Sequence, residues 1–174
     1  VDRDGFVIEV IGDAIVLESH RGIQYVNGVK WTEDLVGTTA ISLVLRGSGP
    51  MQVAGYEHYC RKHQDWACSA APITDSAGAL LGVLSVTGRK ENVHCHTLGM
   101  VVSAAAAVSN YLAVQKAQKE LEQTAKLHST IINSVSDGLL MIDGKGVVTF
   151  LNPTGAKILN VNAAEAVGKH ISTL

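Results

Sequence analysis

The sequence predicts an α+β chain, with an antiparallel sheet flanked by helices and one long helix after it. Two β-rich arms around a tight turn at residues 65–88 favour a sheet, whereas apolar residues at spacings of three and four from Thr97 onward favour a helix. Hydrophobic residues make up 47 % of the 174 residues, which is enough for a core.

The chain opens with two β-branched runs, residues 5–11 and 14–18, on either side of Gly12 and Asp13. Gly-Asp is a turn dipeptide, and β-branched residues favour strands. This pattern predicts an opening β-hairpin.

A helix is expected next, from Thr32 to about Leu45. Thr32 can cap its start, and acidic residues occupy its first turn. The Gly-Ser-Gly-Pro turn at residues 47–50 ends it. Residues 51–54 then predict a short strand, and residues 57–63 predict one or two helical turns.

The most informative segment is the hairpin at residues 65–88. Its first arm ends at Pro72, Asp75 and Gly78 lie in the turn, and the second arm alternates apolar and small polar residues. Small residues on both arms are typical of strands that other elements approach closely.

A long helix follows from Thr97, and its first half is expected to pack on the sheet. Beyond residue 113 a heptad seam predicts a weak coiled coil and hence a homodimer. The seam consists of Val114, Ala117, Leu121, Thr124, His128 and Ile131. Because polar residues interrupt it, its register can shift, which suits a helix that transmits a signal.

The remaining residues predict a second, smaller α/β arrangement. A turn at Asp137-Gly138 separates the helix from strands at 139–142 and 147–151, and short helices are expected at 154–159 and 165–169.

Composition excludes several classes of function. The 14 basic and 16 acidic residues give a net charge of −2, which does not attract nucleic acid. No long apolar run predicts a membrane span, and Val1 lies within a strand-like pattern, so the chain is expected to begin inside a longer protein. The three cysteines, without C-x-x-C spacing, indicate a reducing compartment, and we expect a cytoplasmic location.

Three motifs resemble the GAF domain of bacterial transcription activators of the acetoin and dihydroxyacetone regulator type. They are residues 65–88, Trp-Thr-Glu-Asp-Leu-Val-Gly-Thr-Thr-Ala at 31–40 and Tyr-Glu-His-Tyr at 56–59. The segment from His128 to Pro153 resembles the start of a PAS domain. The resemblance implies a GAF sensor at 1–113 without its usual first helix, a signalling helix at 114–133, and an incomplete PAS domain at 134–174.

The resemblance also implies a function. In that family the GAF and PAS pair precedes an ATPase that acts on sigma-54 RNA polymerase and a DNA-binding helix-turn-helix. This chain contains neither motif. We therefore expect a non-catalytic sensory region that reaches RNA polymerase and DNA only through modules outside it.

The resemblance further implies a cavity between the sheet and its covering helices, where a small polar metabolite would bind. The candidate residues are Trp31, Thr38, Thr39, His58, Asp65, Trp66, Cys68 and Ser69. The alternative is that these side chains only pack the core. A second functional hypothesis is a module that responds to a metabolic-enzyme subunit and has no small-molecule ligand.

Two further chemistries are not expected. A thiol enzyme needs an activated cysteine, and Cys68 lies in an apolar strand of small residues, which is typical of an inert thiol. His94, Cys95 and His96 have the donor types of a zinc site, but adjacent side chains do not easily point at one ion. We expect no catalytic residue, no metal and no cofactor.

Overall fold

The computed structural model describes residues 1–174, apart from the side chain of His20. The chain divides into two compact units, Val1–Gln115 and Lys116–Leu174, which are described separately. In chain order the elements are α1 (Ala14–Gly22), α2 (Glu33–Val36), α3 (Ala40–Leu45), β1 (Met51–Ala54), β2 (Trp66–Thr74), β3 (Leu80–Arg89), α4 (Cys95–Ser134), β4 (Leu140–Ile142), β5 (Val148–Leu151), α5 (Pro153–Leu159) and α6 (Ala163–Ala166). Single 3₁₀ turns occur at Gly55–Glu57, Arg61–His63, Lys90–Asn92 and Ile171–Thr173.

The central hairpin is confirmed. Strands β1, β2 and β3 form an antiparallel sheet in that order, and β2 continues two residues past Pro72. Pro72 is tolerated there because β1 pairs with β2 only as far as Ala70, so one neighbouring strand is absent at the proline. In the turn, the Asp75 carboxylate accepts hydrogen bonds from the backbone N–H groups of Ala77 and Ala79.

The predicted opening hairpin is wrong. Residues 14–22 form the helix α1, which begins where the carbonyl of Asp13 accepts the N–H of Leu17 at 2.9 Å. Val7 instead pairs with the later loop, where its N–H donates to the carbonyl of Val29. Short β-branched runs fit both strand and helix, and here tertiary pairing decides between them.

The single helix expected from Thr32 to Leu45 is also wrong, because Gly37 divides it into α2 and α3. Gly37 has φ 73°, in the left-handed region that favours glycine. Thr39 rather than Thr32 makes the side-chain cap: its Oγ1 accepts the N–H of Ser42, while Ser42 Oγ accepts the N–H of Thr39.

The two faces of β2 pack against different elements. Cys68 and Ala70 belong to the core under α3, whereas Ala71 packs against Val101 and Ala105 of α4. This follows from the alternation of side chains along a strand. The expectation that the first half of α4 packs on the sheet is confirmed.

The second unit contains the rest of α4, the β4–β5 hairpin and the helices α5 and α6. The hairpin and both short helices lie within a few residues of their expected positions. Asn152 is buried where β5 meets α5, and Pro153 follows it at the first position of α5.

Candidate functional site

A small cavity lies against the face of β2 that carries Cys68. Its volume is about 30 Å³, which is enough to hold water. Its walls are Ile23, Tyr25, Trp31, Thr39, Ile41, His58, His63, Trp66, Cys68 and Thr87. The cavity is therefore small, and a ligand of several carbon atoms would need its side-chain walls to move.

Aromatic rings form one side of the cavity. The Tyr25 ring meets Trp31 edge-on at 4.7 Å between centroids, and the His63 ring lies 5.3 Å from Trp31. His58 lies 6.2 Å from His63. Contacts of this kind hold the rings in a fixed arrangement around an apolar space.

Most polar groups around the cavity are already hydrogen-bonded. His58 Nδ1 lies 3.2 Å from the carbonyl of Gly55, and the Cys68 thiol lies 3.1 Å from the Thr87 hydroxyl. In contrast, Nδ1 of His63 is buried and has no hydrogen-bond partner in the described part of the chain. An unsatisfied buried polar atom costs about 1–3 kcal/mol, so this nitrogen is a group that a water molecule or a small ligand could satisfy.

Burial determines the protonation of the titratable groups. It lowers the pKa of His63, and the neighbouring His58 and Lys62 lower it further. The pKa of His58 is also lowered, mainly by burial. Burial raises the pKa of Cys68 to about 11, so the thiol stays protonated near neutral pH and is a poor nucleophile.

These histidines predict a stability that depends on pH. Because their folded pKa values lie below 6.5, the folded state binds fewer protons than the unfolded state, and stability is lost as the pH falls through and below 6.5. We expect the urea midpoint of the first unit to decrease from about pH 7.5 to about pH 5.5. His63→Leu should reduce this decrease, and an equal decrease in the variant would contradict the assignment.

Five of the predicted residues line the cavity: Trp31, Thr39, His58, Trp66 and Cys68. The other three lie elsewhere. Thr38 donates to Glu33 at 3.3 Å. Asp65 is exposed and pairs with Lys90. Ser69 is buried on the opposite face of β2, where its hydroxyl accepts from the Gln52 amide at 2.8 Å.

Five cavity residues were not predicted: Ile23, Tyr25, Ile41, His63 and Thr87. Thr87 could have been predicted from the sequence, because the register of the hairpin pairs it with Cys68. Ile23, Tyr25 and His63 come from loops and a 3₁₀ turn that tertiary packing places, and no local pattern indicates them.

All six seam residues lie on the exposed part of α4 that begins at its midpoint, Val114. Among the apolar residues of the seam, Val114 is 64 % exposed, Leu121 is 71 % exposed and Ile131 is 52 % exposed. An 18-residue window of α4 has a mean hydropathy of 1.5, so by length and composition this helix could span a membrane, contrary to expectation. Packing on the sheet accounts for two of its apolar residues, Val101 and Ala105.

His94, Cys95 and His96 come together at the start of α4. Their ligand atoms all lie within 4.8 Å of one another, and all three residues are exposed. The chain turns into a helix between His94 and His96, which brings these three side chains to the same end of α4.

The GAF domain family matches residues 2–112, and the PAS fold matches residues 126–174. A signal-transduction and transcriptional-control protein of Clostridium beijerinckii is 31 % identical over 99 % of this chain and 27 % of its own length. The acetoin dehydrogenase operon transcriptional activator AcoR of Bacillus subtilis is 36 % identical over 78 % of this chain and 22 % of its own length. The PTS-dependent dihydroxyacetone kinase operon regulatory protein of Escherichia coli is 24 % identical over 100 % of this chain and 27 % of its own length.

Among solved structures, the E. coli DhaR(N)–DhaL complex matches with a TM-score of 0.82 and 24 % identity, over 99 % of this chain and 60 % of that chain. This likeness concerns the fold. The chain spans about a quarter of the length of the curated relatives given above, between 22 and 27 %.

Proposed function

The chain belongs to the GAF family, with a PAS-fold segment after it, and we propose that it is the non-catalytic, cytoplasmic sensory region of a bacterial transcription regulator. The proposal divides it into a sensor at 1–113, a signalling helix at 114–133 and a PAS segment at 134–174. Its relatives include an activator of an acetoin dehydrogenase operon, a regulator of a dihydroxyacetone kinase operon and an acetoin catabolism regulatory protein. The proposal places the full regulator among the sigma-54 activators that the sequence resembles. RNA polymerase and DNA would be contacted by other modules of the full regulator.

We infer that the cavity at His63 is the sensing site, and the unpaired Nδ1 of His63 carries this inference. A neutral imidazole nitrogen accepts a hydrogen bond from a hydroxyl group, and the surrounding rings provide apolar contact. The ligand class that fits is a hydroxyketone or diol of three or four carbons. Relatives named for operons of acetoin, glycerol and dihydroxyacetone metabolism support this class.

Such a ligand requires the cavity to open. Ile23 and His63 line both the cavity and a surface groove of about 420 Å³. Rotation of these two side chains would join the groove to the cavity. The binding site would therefore form as the ligand enters, and the closed form would be the unliganded state.

A thermal-shift experiment tests the sensing site. Wild-type protein is heated with acetoin, dihydroxyacetone or butane-2,3-diol, and a ligand present at 100 times its Kd stabilises the folded state by about 2.7 kcal/mol. His63→Leu should abolish the shift. Because it also removes an unsatisfied buried nitrogen, it should unfold at the same temperature as unliganded wild type or higher. His170→Gln, at an exposed histidine, should keep the shift.

A second candidate function is docking of a protein partner, such as a metabolic-enzyme subunit. Tyr56 and Tyr59 are 85 and 81 % exposed, and both Leu35 and Tyr59 line the surface groove. Exposed tyrosines are enriched at protein interfaces. In a full-length regulator, loss of response in Tyr56→Ser/Tyr59→Ser with retention in His63→Leu would favour this function over the sensing site.

A further inference from the structure

The side chains at the start of α4 have the arrangement of an incomplete metal shell. Cys95 Sγ lies 3.9 Å from His94 Nδ1, and the His94 and His96 rings are 4.7 Å apart at their centroids. All three side chains are exposed, so an ion in solution can reach them. The cluster is separate from the cavity, none of whose lining residues belongs to it.

These distances are close to those of a zinc site. With Zn–S near 2.3 Å and Zn–N near 2.1 Å, tetrahedral geometry places sulfur and nitrogen ligands about 3.6 Å apart and two nitrogens about 3.4 Å apart. The sulfur–nitrogen pair of Cys95 and His94 is already close to this value. The widest separation, 4.8 Å, closes with rotation of exposed side chains.

We propose that His94, Cys95 and His96 bind one Zn²⁺ ion, with water in the fourth position. One thiolate and two imidazoles suit a borderline-soft ion with tetrahedral preference. Binding would release the thiol proton of Cys95. It would also replace the 3.3 Å hydrogen bond from the N–H of His96 to His94 Nδ1 with a metal–nitrogen bond.

The backbone around the site is already held in place. The carbonyl of His94 accepts the N–H of Thr97 at 3.0 Å and the side-chain amide of Gln52 at 3.4 Å. Bound zinc would therefore restrict the motion of the chain where the segment after β3 enters the first turn of α4, the helix that carries the seam. Metal binding should stabilise this turn and so raise the melting temperature of the protein.

A competition titration tests the site. Tag-free, reduced protein is titrated with Zn²⁺ against a chromophoric chelator, and we expect one ion per chain. Cys95→Ser and His96→Gln should each weaken binding by at least about tenfold. Cys60→Ser, at a cysteine outside the cluster, should bind as wild type.

Cobalt provides a second readout that does not depend on stability. Co²⁺ bound to wild type should show a sulfur-to-cobalt charge-transfer band that Cys95→Ser lacks and Cys60→Ser keeps. Equal zinc affinity in wild type and Cys95→Ser, or a cobalt complex without the sulfur band, would overturn the proposal. Neither result would affect the sensing site at His63.

Discussion

Asn152→Ala is expected to destabilise the second unit by about 3 kcal/mol, because it removes four hydrogen bonds to backbone groups, of which the one to the N–H of Gly155 is fully buried. The Oδ1 atom accepts the N–H groups of Leu139 and Gly155 at 2.9 and 2.7 Å. The Nδ2 atom donates to the carbonyls of Ile132 and Asp137 at 3.2 and 3.1 Å. The side chain is only 1 % exposed, so water cannot easily replace these bonds.

The effect should appear in amide hydrogen exchange of Leu139 and Gly155, and in a lower denaturant midpoint for the second unit. Asn152→Asp keeps the acceptor but turns its second carboxylate oxygen toward the two carbonyls, so a loss of stability is expected here as well. The matched control is Asn162→Ala, which removes an exposed cap of α6 and should cost about 1 kcal/mol. A loss in Asn152→Ala no larger than in this control would contradict the role of Asn152.

Leu121→Asp is expected to convert the proposed homodimer to a monomer. A buried leucine contributes about 1.5–3 kcal/mol, and a symmetric interface contains two copies, so the dimer Kd should rise about 100-fold or more. Leu121 is 71 % exposed in the single chain, so the substitution should leave the fold of each subunit intact.

Sedimentation equilibrium measures this change, and circular dichroism verifies that the helix is retained. Gln123→Asp adds the same charge two residues away, on another face of α4, and should leave the dimer intact. A wild-type chain that stays monomeric at high concentration, or a dimer that Leu121→Asp does not weaken, would exclude the seam as the interface.

The sequence predicts an element correctly where its local signals agree with the tertiary packing. The hairpin from β2 to β3 was predicted because its turn residues and its alternation point to the same structure. The prediction of an opening hairpin is wrong because the β-branched run at residues 14–18 has no strand partner and forms a helix instead. The break at Gly37 was missed because Thr32 looked like a sufficient cap, whereas Thr39 caps the second helix.

The residues that line the cavity were predicted only in part, for two separate reasons. Asp65 and Ser69 were placed with Trp66 and Cys68, although alternation along a strand sends neighbouring residues to opposite faces. Applying that rule would have removed both residues from the predicted site. His63 could not be found this way, since it lies in a 3₁₀ turn between β1 and β2, where the alternation of side chains along a strand does not apply.

The central claim, that a hydroxyl-bearing metabolite binds at His63, is tested most directly by nitrogen NMR of the histidine side chains. On titration with acetoin or dihydroxyacetone, the account predicts a saturable change in the Nδ1 resonance of His63 and none at the exposed His170. If the His63 resonance stays unchanged at millimolar concentrations of every hydroxyketone and diol tested, the cavity is not the sensing site.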